Sequence, residues 1–206
     1  MTITRSLLPG ALLCSIAGTA AAQPADRNFY LGADLGQAEI DRRWPQVEDR
    51  NNDDFAWKLR FGYRFSRHVS LEAAFTNFGE YDGLFYFSVF PGAIGTGDFT
   101  TSAKSIDVSV VGTWPLGRVV YLKAAAGLTN REYKTVYAPV FAGAPSARGT
   151  DGDLGIQYGA GLGFTLTESL DVSLDWATTA NLEGDIEFPQ NDLDPSLLSL
   201  GLRFKF

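Results

Sequence analysis

The chain has 206 residues, 17 of them Lys or Arg against 24 Asp or Glu, for a formal charge of −7. A mean hydropathy of −0.04 excludes a bundle of apolar transmembrane helices, each of which needs ~20 mostly apolar residues. An apolar content of 45% excludes a disordered chain. A pI near 4.7 argues against nucleic acid as a partner, because phosphate binding needs a basic face.

Residues 1–22 read as a secretory signal peptide that is cleaved. Arg5 supplies the positive start, Leu7 to Ala17 form a short apolar stretch, and Ala20-Ala21-Ala22 before Gln23 fits the cleavage pattern. The single cysteine, Cys14, lies inside this segment and follows Leu13, which a lipoprotein signal would replace with a small residue. Removing 22 residues from 206 leaves 184, with no cysteine and 16 basic against 24 acidic residues, a net charge of −8. Residues 23–206 are therefore expected to form one exported domain that is stable without disulfides.

From there on, apolar residues recur with period two, the mark of strands with two different faces. Phe29, Leu31, Ala33 and Leu35 alternate with Tyr30, Gly32, Asp34 and Gly36. Between Phe55 and Phe65, the apolar set Phe55, Trp57, Leu59, Phe61, Tyr63 and Phe65 alternates with Ala56, Lys58, Arg60, Gly62 and Arg64. After a turn at Ser66, Arg67 and His68, Val69, Leu71, Ala73 and Phe75 alternate with Ser70, Glu72, Ala74 and Thr76. Next come Ile106, Val108, Val110 and Trp114 against Ser105, Asp107, Ser109 and Thr113. Pro115, Leu116 and Gly117 are read as the turn into Val120, Leu122, Ala124, Ala126 and Leu128, which face away from Tyr121, Lys123, Ala125 and Gly127.

The pattern continues from Leu154 to Leu166, opposed by a face rich in glycine (Gly155, Gly159, Gly161, Gly163). A turn at Thr167-Glu168-Ser169 leads to Leu170, Val172, Leu174 and Trp176 against Asp171, Ser173 and Asp175. The chain closes on Leu198, Leu200, Leu202, Phe204 and Phe206, alternating with Ser199, Gly201, Arg203 and Lys205. This makes eight strands, most of them long enough to cross a bilayer at a tilt. Three short turns alternate with four longer connections at about 41–53, 79–103, 132–153 and 178–195. The expected fold is all-β: an eight-stranded antiparallel up-and-down transmembrane β-barrel.

Alternation alone does not say which face lies outside, since a soluble barrel turns its apolar face inward. The apolar face here is bulky and nearly uncharged, as lipid requires, and the other face carries the glycines that a crowded interior needs. Aromatics gather towards both strand ends, with Phe55, Trp57, Phe75 and Trp176 at one rim. Tyr63, Phe65, Trp114, Phe164, Phe204 and Phe206 gather at the other, like two interfacial girdles. Arg60, Arg64, Glu72, Asp107, Lys123, Asp175 and Arg203 then project into the barrel, where they need each other as partners. A turn centred on Arg67 sets Gly62 opposite Glu72, with Arg60 and Arg64 diagonal to it. The same construction makes Lys123 diagonal to Asp107.

The runs Phe61-Gly62-Tyr63-Arg64-Phe65, Val69-Ser70-Leu71-Glu72-Ala73 and Asn77-Phe78-Gly79 resemble the second and third strands of OmpA-like outer-membrane barrels. The opening run, residues 29–36, resembles their first strand. Leu198, Leu200, Leu202, Phe204 and Phe206 resemble the terminal signal read by the barrel-assembly machinery. The resemblance implies an integral protein of a Gram-negative outer membrane, among outer-membrane lipids and lipopolysaccharide, with periplasmic termini and extracellular long loops.

No enzyme is expected. His68, the sole histidine, lies in a short turn, and the chain has no G-x-S-x-G, H-E-x-x-H or Cys/His cluster. No cofactor or metal is assigned. Glu183, Asp185, Glu187, Asp192 and Asp194 read as a solvated acidic loop, with divalent-cation binding as the sharper alternative. The run Leu84 to Phe90 either extends its strand beyond the membrane, contacts headgroups or offers a patch to a surface partner. The expected role is envelope integrity or surface interaction, the alternative a narrow conduit for small or apolar solutes of the OmpW-like kind.

Overall fold

The computed structural model describes residues 28–42, 47–51, 53–90, 93–139, 146–181 and 193–206. The signal-peptide segment, most of the acidic fourth loop and the tips of the other long connections lie outside them. The strands are β1 (Phe29–Arg42), β2 (Val47–Asn51), β3 (Asp53–Arg64), β4 (Val69–Phe90), β5 (Ala93–Pro115), β6 (Val120–Pro139), β7 (Ala147–Thr165), β8 (Leu170–Asn181) and β9 (Leu193–Lys205). β2 and β3 pair with successive stretches of β4, so together they form one barrel strand. Each remaining neighbour pairs antiparallel, and β1–β9 and β4–β5 complete the ring. The result is a closed eight-stranded up-and-down barrel with no helix among the described residues.

The inside-out pattern is explicit in the burial of side chains. Ile106 and Leu200 are 63% and 61% exposed, whereas Arg60 and Arg203 are 5% and 4% exposed. A soluble barrel would reverse these values, because burying apolar area is what stabilises it in water.

Three tight turns join β3–β4, β5–β6 and β7–β8 at one rim. Ser66 Oγ accepts from the His68 and Val69 amides at 3.2 and 3.1 Å, and Thr167 Oγ1 accepts from the Leu170 amide at 3.1 Å. Short hydroxyl side chains are suited to this because they satisfy turn amides that no strand reaches. The middle turn departs from expectation. Pro115 still belongs to β5, paired with Tyr121, so the turn comprises residues 116–119. Proline is tolerated there because the strand end requires no further ladder donor.

The opposite rim is taller than expected. The ladder between β4 and β5 runs from Val69–Gly112 out to Phe90–Ala93, so most of residues 79–103 is paired strand, not loop. The β6–β7 ladder likewise reaches Tyr137–Ala147. The run Leu84 to Phe90 thus extends β4, where Val47 and Glu48 of β2 pair with Phe85 and Leu84. Consecutive β-branched and aromatic residues favour this continuation of the ladder.

A bulge interrupts β4 between Asn77 and Gly79, and Gly79 has φ of +90°. Only glycine adopts this backbone without strain. Phe78 continues the inward parity of residues 70–76. The extra residue reverses that parity so that Tyr81 also turns into the barrel, and the Tyr81 hydroxyl donates to the Phe78 carbonyl at 2.6 Å. With Ala38, Ala56, Ala103, Tyr133 and Leu197 they make a buried apolar cluster towards the tall rim. Above the periodic pattern, one inserted residue therefore decides what closes the barrel.

Candidate functional site in the barrel interior

Below the apolar cluster the interior is polar, built by inward positions of every barrel strand. Asp175 on β8 is its hub. Its Oδ2 accepts from Lys123 Nζ at 2.6 Å, from Arg60 Nη1 at 3.3 Å and from Ser173 Oγ at 2.9 Å. Arg60 also pairs with Asp34 through Nη2, and Lys123 donates to Ser173 Oγ at 3.1 Å. Asp107 accepts from Thr76 Oγ1 at 3.1 Å and Thr129 Oγ1 at 2.6 Å, with Lys58 Nζ 4.0 Å away. Charge-assisted bonds of this kind are worth about twice a neutral one, which offsets part of the desolvation of each ion.

Towards the short-turn rim the chemistry changes from ion pairs to rings. The Arg203 guanidinium lies 4.6 Å from the Tyr30 ring centroid and 5.9 Å from that of Tyr121. Its Nε and Nη2 have no hydrogen-bond partner among the described residues, so the ring faces carry its charge. The Tyr30 hydroxyl donates to Glu72 Oε2 at 3.0 Å, and Lys205 pairs with Asp171 at 2.8 Å. Towards the tall rim, Arg131 grips Asp153 with both Nε and Nη2, at 2.7 and 2.8 Å, and reaches Thr179 at 2.9 Å.

Space for these side chains comes from glycines directly across the ladder. Tyr30 lies over Gly62, Tyr121 over Gly163, Asp34 against Gly201 and Asp175 against Gly161. A Cβ at any of the four would collide with the facing ring or carboxylate.

Of the residues singled out from the sequence, Arg60, Glu72, Asp107, Lys123, Asp175 and Arg203 all lie in this interior. Arg64 is half-buried at the short-turn rim and makes no ion pair among the described residues. Gly62 does stand opposite Glu72. The partners differ, however: Arg60 pairs with Asp34, diagonal to it on the adjacent β1, and across the interior with Asp175, while Glu72 is bonded by Tyr30. The expected diagonal between Lys123 and Asp107 is wrong. Because the turn sits at residues 116–119, Lys123 faces Thr113 and Asp107 faces Thr129. Lys123 instead meets Asp175 over Gly161 of β7, which stands directly opposite both and has no side chain to separate them.

Asp34, Lys58, Asp171 and Lys205 were visible on the inner face but were not singled out, although they complete the network. Arg131 and Asp153, direct cross-strand partners, border and end the stretch 132–153, whose polar composition suggests loop. Leu198, Leu200, Leu202, Phe204 and Phe206 form an outward row, each about half exposed, along the strand that closes on β1.

The interior leaves little free volume. One void between Lys58, Arg60, Glu72, Lys123, Gln157 and Asp175 holds about 40 Å³, and a second beside Lys58, Asp107 and Phe78 holds about 10 Å³. The larger accommodates water but no bigger solute. His68 is committed to its turn: Nε2 accepts from Arg67 Nε at 3.0 Å, which leaves Nδ1–H to donate to the Thr113 carbonyl at 3.0 Å. No cluster of three His, Cys, Asp or Glu residues suited to a metal occurs among the described residues. Glu183, Asp185, Glu187 and Asp192 lie outside them, and Asp194 lies in β9.

Outside the hydrocarbon belt, Glu132 and Lys134 pair at 2.6 Å on the outer surface of β6. The Lys134 ammonium, by hydrogen bond and charge, holds the Glu132 carboxyl below its ordinary range.

The family model for the outer membrane protein beta-barrel domain matches residues 10–206. Among curated proteins, none matches the sequence. Among solved structures, Neisserial surface protein A is 18% identical with a TM-score of 0.55, over 86% of this chain and 97% of that one. The N-terminal barrel domain of Pseudomonas aeruginosa OprF is 14% identical with a TM-score of 0.53, over 87% and 98%. Pseudomonas aeruginosa OprG is 11% identical with a TM-score of 0.53, over 86% and 97%. At these identities the likeness is one of fold.

Proposed function

Because the chain belongs to the outer membrane protein beta-barrel domain family and is thus an integral outer-membrane protein, we propose that it acts as a closed, non-enzymatic barrel serving envelope integrity or surface interaction. The short turns, the start of β1 and the end of β9 face the periplasm, and the tall β4–β7 rim faces outward. One observation carries the closed reading: the interior is filled by ion pairs and capped by Phe78, Tyr81, Tyr133 and Leu197, with a void of only about 40 Å³. A solute path would need a continuous lumen, and eight strands leave room for little beyond side chains. The tall paired rim supports surface contact, since it raises the β4–β5 and β6–β7 hairpins beyond the lipid-facing belt. The outward row ending in Phe206 supports recognition by the barrel-assembly machinery.

Single-channel recording in planar bilayers tests this. The purified barrel is expected to give no reproducible openings. Steady conductance that falls when Arg60 or Lys123 is neutralised would replace the reading with a conduit.

A further inference from the structure

We infer that the outer wall carries a groove for one acyl chain of a glycerophospholipid, drawn from the leaflet on the short-turn side. Two rungs of side chains define it. Leu170, Phe204, Leu31, Phe61 and Ala73 are successive cross-strand neighbours from β8 to β4. Leu202, Ala33, Leu59 and Phe75 form the next rung. Between them lies an open groove of about 640 Å³, lined almost wholly by apolar atoms. Small residues make its floor: at Ala33 and Ala73 the wall drops between the bulky neighbours, and Gly32 adds bare backbone.

The groove's course matters as much as its lining. Leu170 is the first residue of β8 and Phe204 lies next to the end of β9, so this end opens at the short-turn rim. Phe61 lies three residues before the end of β3 and Ala73 four residues into β4, so the other end lies well inside the belt. Strands ~4.8 Å apart and tilted by ~40° lift a rung by ~3 Å per strand, or roughly 12 Å over four steps. A channel that begins at the interface and climbs into hydrocarbon follows the course of an acyl chain.

The groove is continuous with the lipid-facing belt, where Leu31 and Phe204 are 53% and 54% exposed. Its medium is therefore hydrocarbon, and an unfilled groove there forfeits packing contacts that a flexible chain recovers. Assignment to glycerophospholipid, not lipid A, rests on placing the short turns in the periplasm.

Native mass spectrometry of the mature protein, extracted from outer membranes in a mild detergent, tests the site. One glycerophospholipid is expected to remain on each barrel. Ala33→Phe and Ala73→Phe fill the floor and should each lower that retention about tenfold or more, a difference of about 1.4 kcal/mol. Ala124→Phe, outward on the distant β6, should leave it unchanged. Heat-modifiable gel mobility checks that every variant folds, and a variant that fails is replaced by the smaller Ala73→Leu. No bound phospholipid, or retention indifferent to both fillings, overturns the site. A dimer mass abolished by Ala73→Phe overturns it in favour of a second copy. Bound lipid A overturns the choice of leaflet. Orientation has a separate test: Gly117→Cys in the short turn should resist a membrane-impermeant maleimide on intact cells, and labelling there would overturn the orientation independently of the groove.

Discussion

Asp175 stands directly across the ladder from Gly161, and its carboxylate occupies the space that a Cβ at Gly161 would take. From that position it reaches Lys123 and Arg60, which belong to strands far apart in sequence. The bare backbone opposite lets a short acidic side chain lie along the wall and act as the hub of the interior.

Gly161→Ala is accordingly expected to destabilise the barrel by ~1–3 kcal/mol, since an added methyl in a packed interior forces its neighbours to shift. The Leu174 carbonyl, 2.7 Å from the new Cβ, cannot move without disturbing the ladder. Gly117→Ala, with nothing within 4 Å, is the matched control and should be neutral. Urea titration in vesicles measures both; equal midpoints for the two variants would refute the packing argument.

Asp175→Asn should cost ~3–5 kcal/mol, because it leaves Lys123 and Arg60 buried with one less compensating charge. Adding Lys123→Met removes one stranded cation and should recover part of that loss. A double-mutant cycle on unfolding free energies reports the coupling. Strict additivity of the two changes would mean the 2.6 Å contact contributes nothing.

Phe78→Ala removes the phenyl ring from the buried apolar cluster at the bulge, and a loss of ~3–5 kcal/mol is expected for a cavity of that size. The same variant tests the seal. If Phe78 and Tyr81 close the tall end, the double alanine variant should take up water, read as faster amide exchange at Thr76 and Thr129 beneath them. Unchanged exchange would show that the polar network closes the barrel unaided.

Glu132 supplies a pH prediction outside the membrane. Its carboxyl titrates below the ordinary range beside Lys134, so whatever the pair contributes is present above the unfolded carboxylate value and lost as pH falls through the depressed one. Lys134→Gln should raise that titration towards the ordinary value, followed by carboxyl carbon NMR. Both side chains are more than half exposed, so the unfolding midpoint at neutral pH should not move.

Much of the barrel was legible because a strand's two faces are written into neighbouring residues. Phe61 outward and Arg60 inward follow from period two alone, once lipid is recognised as the medium on one side. The residues of the interior network were legible for the same reason, but their partners were not. Lys123 illustrates why: moving one turn from Pro115–Gly117 to residues 116–119 shifts every partner of β6 on β5 while leaving each side chain on its face. The Arg131–Asp153 pair was hidden because paired strand continued where polar composition suggested loop.

The sequence by itself thus determined the strand count, the lipid-facing surface and which side chains turn inward, since these depend on local alternation. Tertiary structure alone decided that Arg60 meets Asp34 and Asp175, that Arg203 sits between two tyrosine rings, and that one bulge turns Tyr81 into the barrel beside Phe78. The physical reason is register and closure: the β1–β3 register sets Asp34 diagonal to Arg60, and closure sets the contacts across the interior. Joining β1 to β9 brings opposite walls together, and distances across a lumen depend on register and shear, which no local pattern encodes.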